Sequence, residues 1–437
     1  MQTIFENSWP DAQPIAYRER TVPIDIHVSK IVRLAFYAFV ATIPFETVDL
    51  GISVEPTVIS LVVLVLALPL QPAVVLRKPP MAFLCFFFYL TFFAVPTLSQ
   101  DVGFRDEAVW QLMVLVQLVA MAWIAFNLLK SERVARGALT TFALSCAFLA
   151  FLQIAGISES TTNYEESIQR TTSFGFHPNN LARILGLGLI ALVGIGFMIR
   201  KRTQLPRWLL IASCAVIGLA IIETGSRGGL LALGAGLSMV VFRVGDIRAR
   251  MAGIALLAVA FVFFLVSALQ SELFTSRVER TLDNGDLARR EDIYPTAWGM
   301  FLEKPLFGWG GKSGEFELGT RLAHEDEVSK NPHNLILYLL MATGLFGTVP
   351  MLVGLFMAVR SAWRARAGPR GVLPLALLVS VLIANMSGLW LHNKMHWFVV
   401  ALALSSSGVF AVMRIKRKGD AVAWETGVAG STLRATS

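Results

Sequence analysis

Residues 289–338 read RREDIYPTAWGMFLEKPLFGWGGKSGEFELGTRLAHEDEVSKNPHNLILY. Paired arginines open the stretch. A tryptophan-bearing amphipathic piece and a glycine-rich loop follow, and a Pro-His-Asn step leads into an apolar run. Most of the chain on either side is apolar, so this segment reads as the working part of a protein whose other helices form a scaffold. The 437 residues are 55% hydrophobic and 16% charged, with a mean hydropathy of +0.62. That is too apolar for a soluble globular chain. The predicted fold class is an all-α polytopic membrane protein.

Apolar runs of roughly spanning length fall at about 31–45, 56–70, 81–98, 107–129, 137–156, 180–199, 207–223, 228–242, 251–270, 333–359, 372–391 and 396–413. They predict about 12 transmembrane helices. The first two and the eighth are short and read as tilted, kinked or partly embedded. The expected plan is a lead-in at 1–30, nine helices over 31–270, one large loop with short helices at 271–332, three helices over 333–413 and a tail at 414–437. Cations collect in alternate connections: LRKPP (76–80), KSERVAR (130–136), RKRTQLPR (200–207), RVGDIRAR (243–250), RSAWRARAGPR (360–370) and RIKRK (414–418). This pattern predicts cytoplasmic termini and an external large loop. The formal charge of +8 is then mostly a topology signal, with no nucleic-acid partner implied. Within 271–332, eight Lys and Arg face twelve Asp and Glu, so the arginines there are not part of a diffuse basic surface. The first thirty residues are mixed and polar, with no cleavable signal peptide in view. Cys85, Cys146 and Cys214 sit inside apolar runs and suggest neither disulfide nor metal.

Polar features gather on the predicted outer face. Arg227 lies in ETGSRGG (223–229), a connection short enough to be a turn, with Glu223 four residues before it. It reads either as an interfacial arginine snorkelling to lipid or as a fixed, partnered guanidinium. Residues 156–180 form a polar connection ending in His-Pro-Asn-Asn, with Arg183 one turn into the next helix. Arg289 and Arg290 precede Pro295, which is tolerated only near a helix start. Asp292 is therefore the expected cap, with Ile293, Ala297, Trp298, Phe301 and Leu302 as an apolar stripe. Either the two arginines stand at the lip of a helix on the membrane, placed for an anionic headgroup, or they form a solvated face. For His333, Asn331 is the expected cap and Pro332 the first helical residue. The positive end of the helix dipole then keeps the ring neutral and able to accept a proton; a structural histidine is the alternative. His324 reads as solvated, and His392 and His396 as members of an interfacial aromatic belt.

Guanidinium groups at a membrane surface recognise phosphate bidentately, and a neutral histidine beside them can deprotonate a hydroxyl. The combination suits transfer from a lipid-linked diphosphate donor, with the leaving group stabilised by arginines. No DxD-like cluster stands where it would hold a metal on a nucleotide sugar. A secondary transporter or lipid flippase is the reading from another class. It predicts ionisable groups near mid-span and repeated halves, and the sequence shows hardly any charge mid-span and no visible repeat.

The segments FGFHPNNLAR (174–183), TGSRGGLLAL (224–233), RRxDIYxxAW (289–298), PLFGWGGKSGEF (305–316) and NPHNLILYLLMATGLFG (331–347), in this order, resemble the O-antigen ligase and O-antigen polymerase superfamily. The resemblance implies a metal-independent, inverting glycosyltransferase of the GT-C type in the bacterial inner membrane, without a cofactor. Its active site would face the periplasm. It implies that Arg227 and Arg290 bind a diphosphate, with Arg289 competing for the second role, and that His333 is the catalytic base. Arg183, Asn180 and Asn334 would support the donor site, and no role carries over to His177. The implied donor is undecaprenyl-diphosphate-linked O-antigen, met among membrane lipids. The single large loop and short tail favour lipid A-core oligosaccharide as acceptor over the polymerase and protein O-oligosaccharyltransferase alternatives.

Overall fold

The computed structural model describes residues 27–46, 54–99, 105–157, 159–163, 169–173, 175–196, 206–242, scattered positions from 247 to 266, 290–322 and 329–407. The helices are α1 (Lys30–Thr42), α2 (Pro56–Ala67), α3 (Pro72–Val75), α4 (Met81–Ser99), α5 (Arg105–Leu128), α6 (Glu132–Ile154), α7 (Pro178–Gly194), α8 (Arg207–Thr224) and α9 (Arg227–Val241). After them come α10 (Arg290–Glu303), α11 (Gly311–Arg321), α12 (Leu335–Arg364) and α13 (Leu373–Ala384), and a last helical stretch, α14, over 394–407. Between α6 and α7 a short antiparallel hairpin, β1 (Glu159–Asn163) and β2 (Gln169–Ser173), pairs Thr161 with Thr171. It is the one departure from the all-α expectation among the described residues, and its β-branched threonines suit extended backbone.

Among the described residues, five helices are long and apolar enough to cross a membrane: Met81–Ser99, Arg105–Leu128, Glu132–Ile154, Arg207–Thr224 and Leu335–Ala367. The protein is an integral membrane protein. Pro56–Leu70, Pro178–Gly194, Arg227–Val241 and Leu373–Ala384 are shorter apolar helices, and the run expected at 251–270 lies largely outside the described residues. The run expected at 372–391 stops as a helix at Ala384. There the Asn385 side chain accepts from the Trp390 N–H at 2.9 Å and donates to the Val381 carbonyl at 2.8 Å, closing a turn.

The centre of the molecule is α14. Residues 394–406 are all buried, as expected for a helix apolar on every face. Trp397 meets Phe86 edge-on at 5.2 Å, and Phe398 packs on Phe142. Both ends of α14 are pinned by charge. At the start, Glu46 accepts from the Lys394 backbone N–H at 2.9 Å and pairs with its ammonium at 3.0 Å, while Glu55 stands 3.3 Å away. Near the end, Arg370 donates to Ser405 at 2.9 Å and pairs with Glu132 at 3.0 Å. His396 is fully buried with Asn385 at 3.2 Å, and His392 stacks edge-on to Tyr338. Both histidines therefore face inward, not into a belt at the lipid interface, because the turn at 385–393 folds back over the bundle.

Helix α12 is broken at Gly344, which has φ +56° and ψ −158°. The break frees the carbonyls of Met341 and Ala342 and the N–H groups of Leu345 and Phe346. The loop between α10 and α11 takes all four. Trp309 N–H donates to Met341 and Gly310 N–H to Ala342, while Pro305 and Leu306 carbonyls accept from Leu345 and Phe346, at 2.8–3.2 Å. In an apolar surrounding each unsatisfied backbone group costs several kcal/mol, so the loop and the break require each other. Gly308, at φ +71°, lies against the Ala342–Thr343 backbone, where a Cβ would come within 2.5 Å, and one on Gly344 would overlap Leu306. Beyond the break, residues 345–364 make roughly 30 Å of helix at about 1.5 Å per residue, enough to span alone.

Gly344→Ala and Gly308→Ala are each expected to lower the melting temperature in detergent. Positive-φ backbone of this kind alone costs a non-glycine residue about 1–3 kcal/mol, and backbone overlap adds to it. Gly218, in α8 with open space around its Cα, is the control, and Gly218→Ala should leave melting unchanged or slightly raised.

Candidate active site

The site is built on the turn before α12. Both Asn331 and Asn334 have side chains suited to cap a helix, and tertiary contacts choose between them. Leu335 N–H donates to the Asn385 carbonyl at 2.9 Å, which fixes the helix start there. Asn334 is the cap, its side-chain oxygen accepting from Ile336 and Leu337 N–H at 3.0 and 3.2 Å. His333 thus precedes the helix, where the sequence placed it inside the first turn, and the oxygen of Asn334 serves the helix rather than a donor. His333 has φ +50°, alone among the described non-glycine residues in being left-handed. Its N–H donates to Asn331 Oδ1 at 2.8 Å, and Asn331 Nδ2 donates to Glu315 Oε1 at 3.1 Å. Glu315 is buried on α11, with Lys312 3.6 Å from its other oxygen. Burial pushes its carboxyl above the ordinary value, against the opposing pull of Lys312 and Asn331.

The His333 ring is held neutral. Its pKa falls from 6.5 to about 4, first through crowding by protein atoms, then through the charges of Arg290, Lys330 and Arg183 and the neighbouring His177. The residue still presents an exposed side. The charge effects, which do not depend on what covers that side, are therefore the firmer cause. The sequence attributed neutrality to a helix dipole; the structure attributes it to enclosure by the protein and to nearby cations.

Arg290 begins the described part of α10, and Arg289 lies outside the described residues. Asp292 falls within the first turn instead of capping it. Ile293, Ala297, Met300 and Phe301 are buried, while Trp298 and Leu302 are exposed. The buried set is spaced for one helical face, and it packs against α12 rather than lying open on a membrane.

Arg183 is the residue whose weight the sequence missed. It is only 5% exposed. Nη2 donates to Ser387 at 2.8 Å and Nη1 to Asn180 at 3.4 Å, while Nε has no partner. Trp390 Nε1 also donates to Asn180 Oδ1, at 3.2 Å. Among the described residues, the other two buried cations, Arg370 and Lys394, both pair with glutamates. Arg183 has hydroxyl and amide partners and the Trp390 ring 6.0 Å away, and no carboxylate among the described residues. A buried charge without a counterion is expensive, and an arriving anion would offset that cost. Arg290 acts electrostatically on both Arg183 and His333.

Arg227 is exposed as the first residue of α9, and Ser226 caps that helix by accepting from Gly229 N–H at 3.2 Å. A side chain on the next residue, Gly228, would meet Ser387 and Arg183, which brings the start of α9 beside this group. Arg227 has partners of its own. Glu223 is taken up by Gln153 at 3.2 Å. His177, given no role from sequence, caps α7 and accepts from Asn179 N–H. His324 lies outside the described residues. Among those described, no three His, Cys, Asp or Glu side chains stand together as a metal site.

Residues 212–352, which contain Arg227, Arg290 and His333, match the family described as O-antigen ligase. The match spans about a third of the chain. It is 26% identical to an O-antigen ligase of Pseudomonas aeruginosa over 241 residues, 54% of this chain and 56% of that protein. It is 24% identical to the teichuronic acid biosynthesis protein TuaE of Bacillus subtilis over 299 residues, 61% of this chain and 60% of the relative. Each match spans less than two thirds of the relative's length. The superfamily resemblance read from the motifs is borne out, and the family points to an enzyme of the glycosyltransferase kind.

As pH falls, an unfolded histidine takes up its proton near 6.5, whereas folded His333 does so only near 4. The unfolded chain gains protons first, so this residue's share of stability is intact above about pH 6.5 and declines toward pH 4. Asn tolerates left-handed backbone. His333→Asn should therefore fold and show a shallower loss of melting temperature between pH 7 and 4.5 in detergent. An unchanged slope would contradict the depressed pKa.

Proposed function

We propose that the protein is an O-antigen ligase that transfers a glycan from undecaprenyl diphosphate to lipid A-core oligosaccharide at the periplasmic face. The observation that carries this reading is Arg183, buried without a carboxylate, next to Arg290 and a neutral His333, at one end of a membrane bundle. The O-antigen ligase family match over 212–352 supports it. So does the lack of a carboxylate beside Arg183 among the described residues.

In this reading Arg183, Arg290 and Arg227 bind the donor diphosphate, and Arg289 is the adjacent candidate. The acceptor hydroxyl oxygen attacks the anomeric carbon from the face opposite the diphosphate. The new C–O bond forms as the bond to the diphosphate breaks, and undecaprenyl diphosphate leaves with the electron pair. The hydroxyl proton passes to His333. A single displacement of this kind inverts the anomeric centre and requires no metal, and the large-loop, twelve-span GT-C plan accommodates it. Because Arg290, Lys330 and Arg183 depress the His333 pKa, a bound diphosphate offsets their charge and raises it. The base then strengthens when the donor is in place.

The match to TuaE favours a second reading, in which a related glycan polymer is joined to another acceptor, as in polymerases of the superfamily. The deciding experiment is transfer by purified protein with lipid-linked donor, lipid A-core acceptor and EDTA present. A ligated product should form, and loss of the general base in His333→Ala should reduce it by about 10²–10⁴-fold. Arg290→Lys should stay strongly impaired, since an ammonium cannot form the bidentate contact. The acidic limb of kcat should lie at higher pH than that of kcat/KM. Growth of the donor into longer lipid-linked chains, with lipid A-core untouched, would replace the ligase reading with the polymerase one.

A further inference from the structure

A cavity of about 260 Å³ opens at the end of α12 remote from His333, between that end and parts of α4, α5 and α14. Its lining is divided. Lys130, Arg360 and Arg364 supply one part, and Phe126, Met357 and Leu404 much of the other. No Asp or Glu is among the lining residues. Arg360 and Arg364 are one helical turn apart, so their guanidinium groups share a face, an arrangement that is mildly unfavourable without an anion. Lys130 stands at the seam between the two parts, its ammonium 3.2 Å from Asn127 Oδ1 and 4.3 Å from the centre of the Phe126 ring.

Neighbouring cations at this end are satisfied within the protein. Arg370 and Arg136 are both paired with Glu132, and Arg366 stacks on Trp363 and donates to its carbonyl. Among the described residues, Arg360 and Arg364 have neither an ion pair nor a hydrogen bond. Next to the cavity, Met81, Phe356 and Trp363 are 62%, 65% and 50% exposed, as suits side chains that meet lipid tails. A cationic recess with an apolar flank, on helices that also carry exposed apolar side chains, matches an amphiphile with an anionic phosphate head.

We propose that this cavity binds the headgroup of an anionic membrane phospholipid. The phosphate sits between Arg360, Arg364 and Lys130, and the first part of an acyl chain lies along Phe126, Met357 and Leu404. The site is separate from the transfer site, at the opposite end of the same helix, and does not depend on which glycan is transferred.

The test is native mass spectrometry of the purified, delipidated protein titrated with phosphatidylglycerol or phosphatidylcholine. It compares wild type, the double variant Arg360→Gln/Arg364→Gln, and a charge-matched control, Lys30→Gln/Arg105→Gln. Melting temperatures verify that all three are folded. Phosphatidylglycerol should bind wild type and control with affinities within about twofold of each other. It should bind the cavity variant at least tenfold more weakly, and phosphatidylcholine should bind all three weakly. Equal losses in both variants would reduce the effect to diffuse surface charge and overturn the proposal. Thermal protection by millimolar inorganic phosphate equal to that by phosphatidylglycerol would also overturn it, by making the cavity a free-anion site with no use for its apolar side.

Discussion

The fold around the candidate site depends on four backbone hydrogen bonds. Helix α12 gives up its own bonds at Gly344, and residues 305–310 replace them. Backbone groups inside an apolar bundle must be satisfied somewhere, so this exchange fixes the loop to the helix without relying on side chains. Its consequence is positional. His333 stands just before the first piece of α12, and Arg290 begins a helix that packs on α12, so imidazole and guanidinium share one anchor. Side chains then stiffen the loop. Trp309 lies between Lys304 and Arg321 and donates to the Met300 carbonyl, and Arg321 closes a double contact with Glu303.

Charge is handled differently in different parts of the molecule. Where a buried cation holds helices together, as Arg370 and Lys394 do, a glutamate accompanies it. At Arg183, and at Arg360 and Arg364, where anion binding is proposed, no carboxylate pairs with the cation among the described residues. The resulting positive potential also keeps His333 unprotonated. One feature, a surplus of guanidinium near one turn, thus prepares both a place for an anion and a group able to take a proton.

Much of this was legible in the sequence, because apolar runs and a Pro-His-Asn step carry local signals. The long spans, the turn at ETGSRGG and the approximate place of His333 follow from residues close to one another. What escaped depends on residues far apart. Gly344 reads as an ordinary glycine in an apolar helix until residues 305–310 are seen beside it. The choice of Asn334 over Asn331 as cap rests on Asn385 and Glu315, one of them fifty residues on. Arg183 looks like any arginine one turn into a helix, and only Ser387, Asn180 and Trp390 reveal that it is enclosed. His392 and His396 misled for the same reason, since the turn at 385–393 decides which way they face.

The exchange at Gly344 also has an order in time. Residues 305–310 are synthesised before residues 341–346, so the partner already exists when the helix that needs it emerges. At ribosomal speeds of about 5–20 residues per second, the interval is on the order of a few seconds. The reverse arrangement would leave a broken helix in the bilayer waiting for its complement. In this chain the wait falls on the loop, whose polar groups can spend it in water.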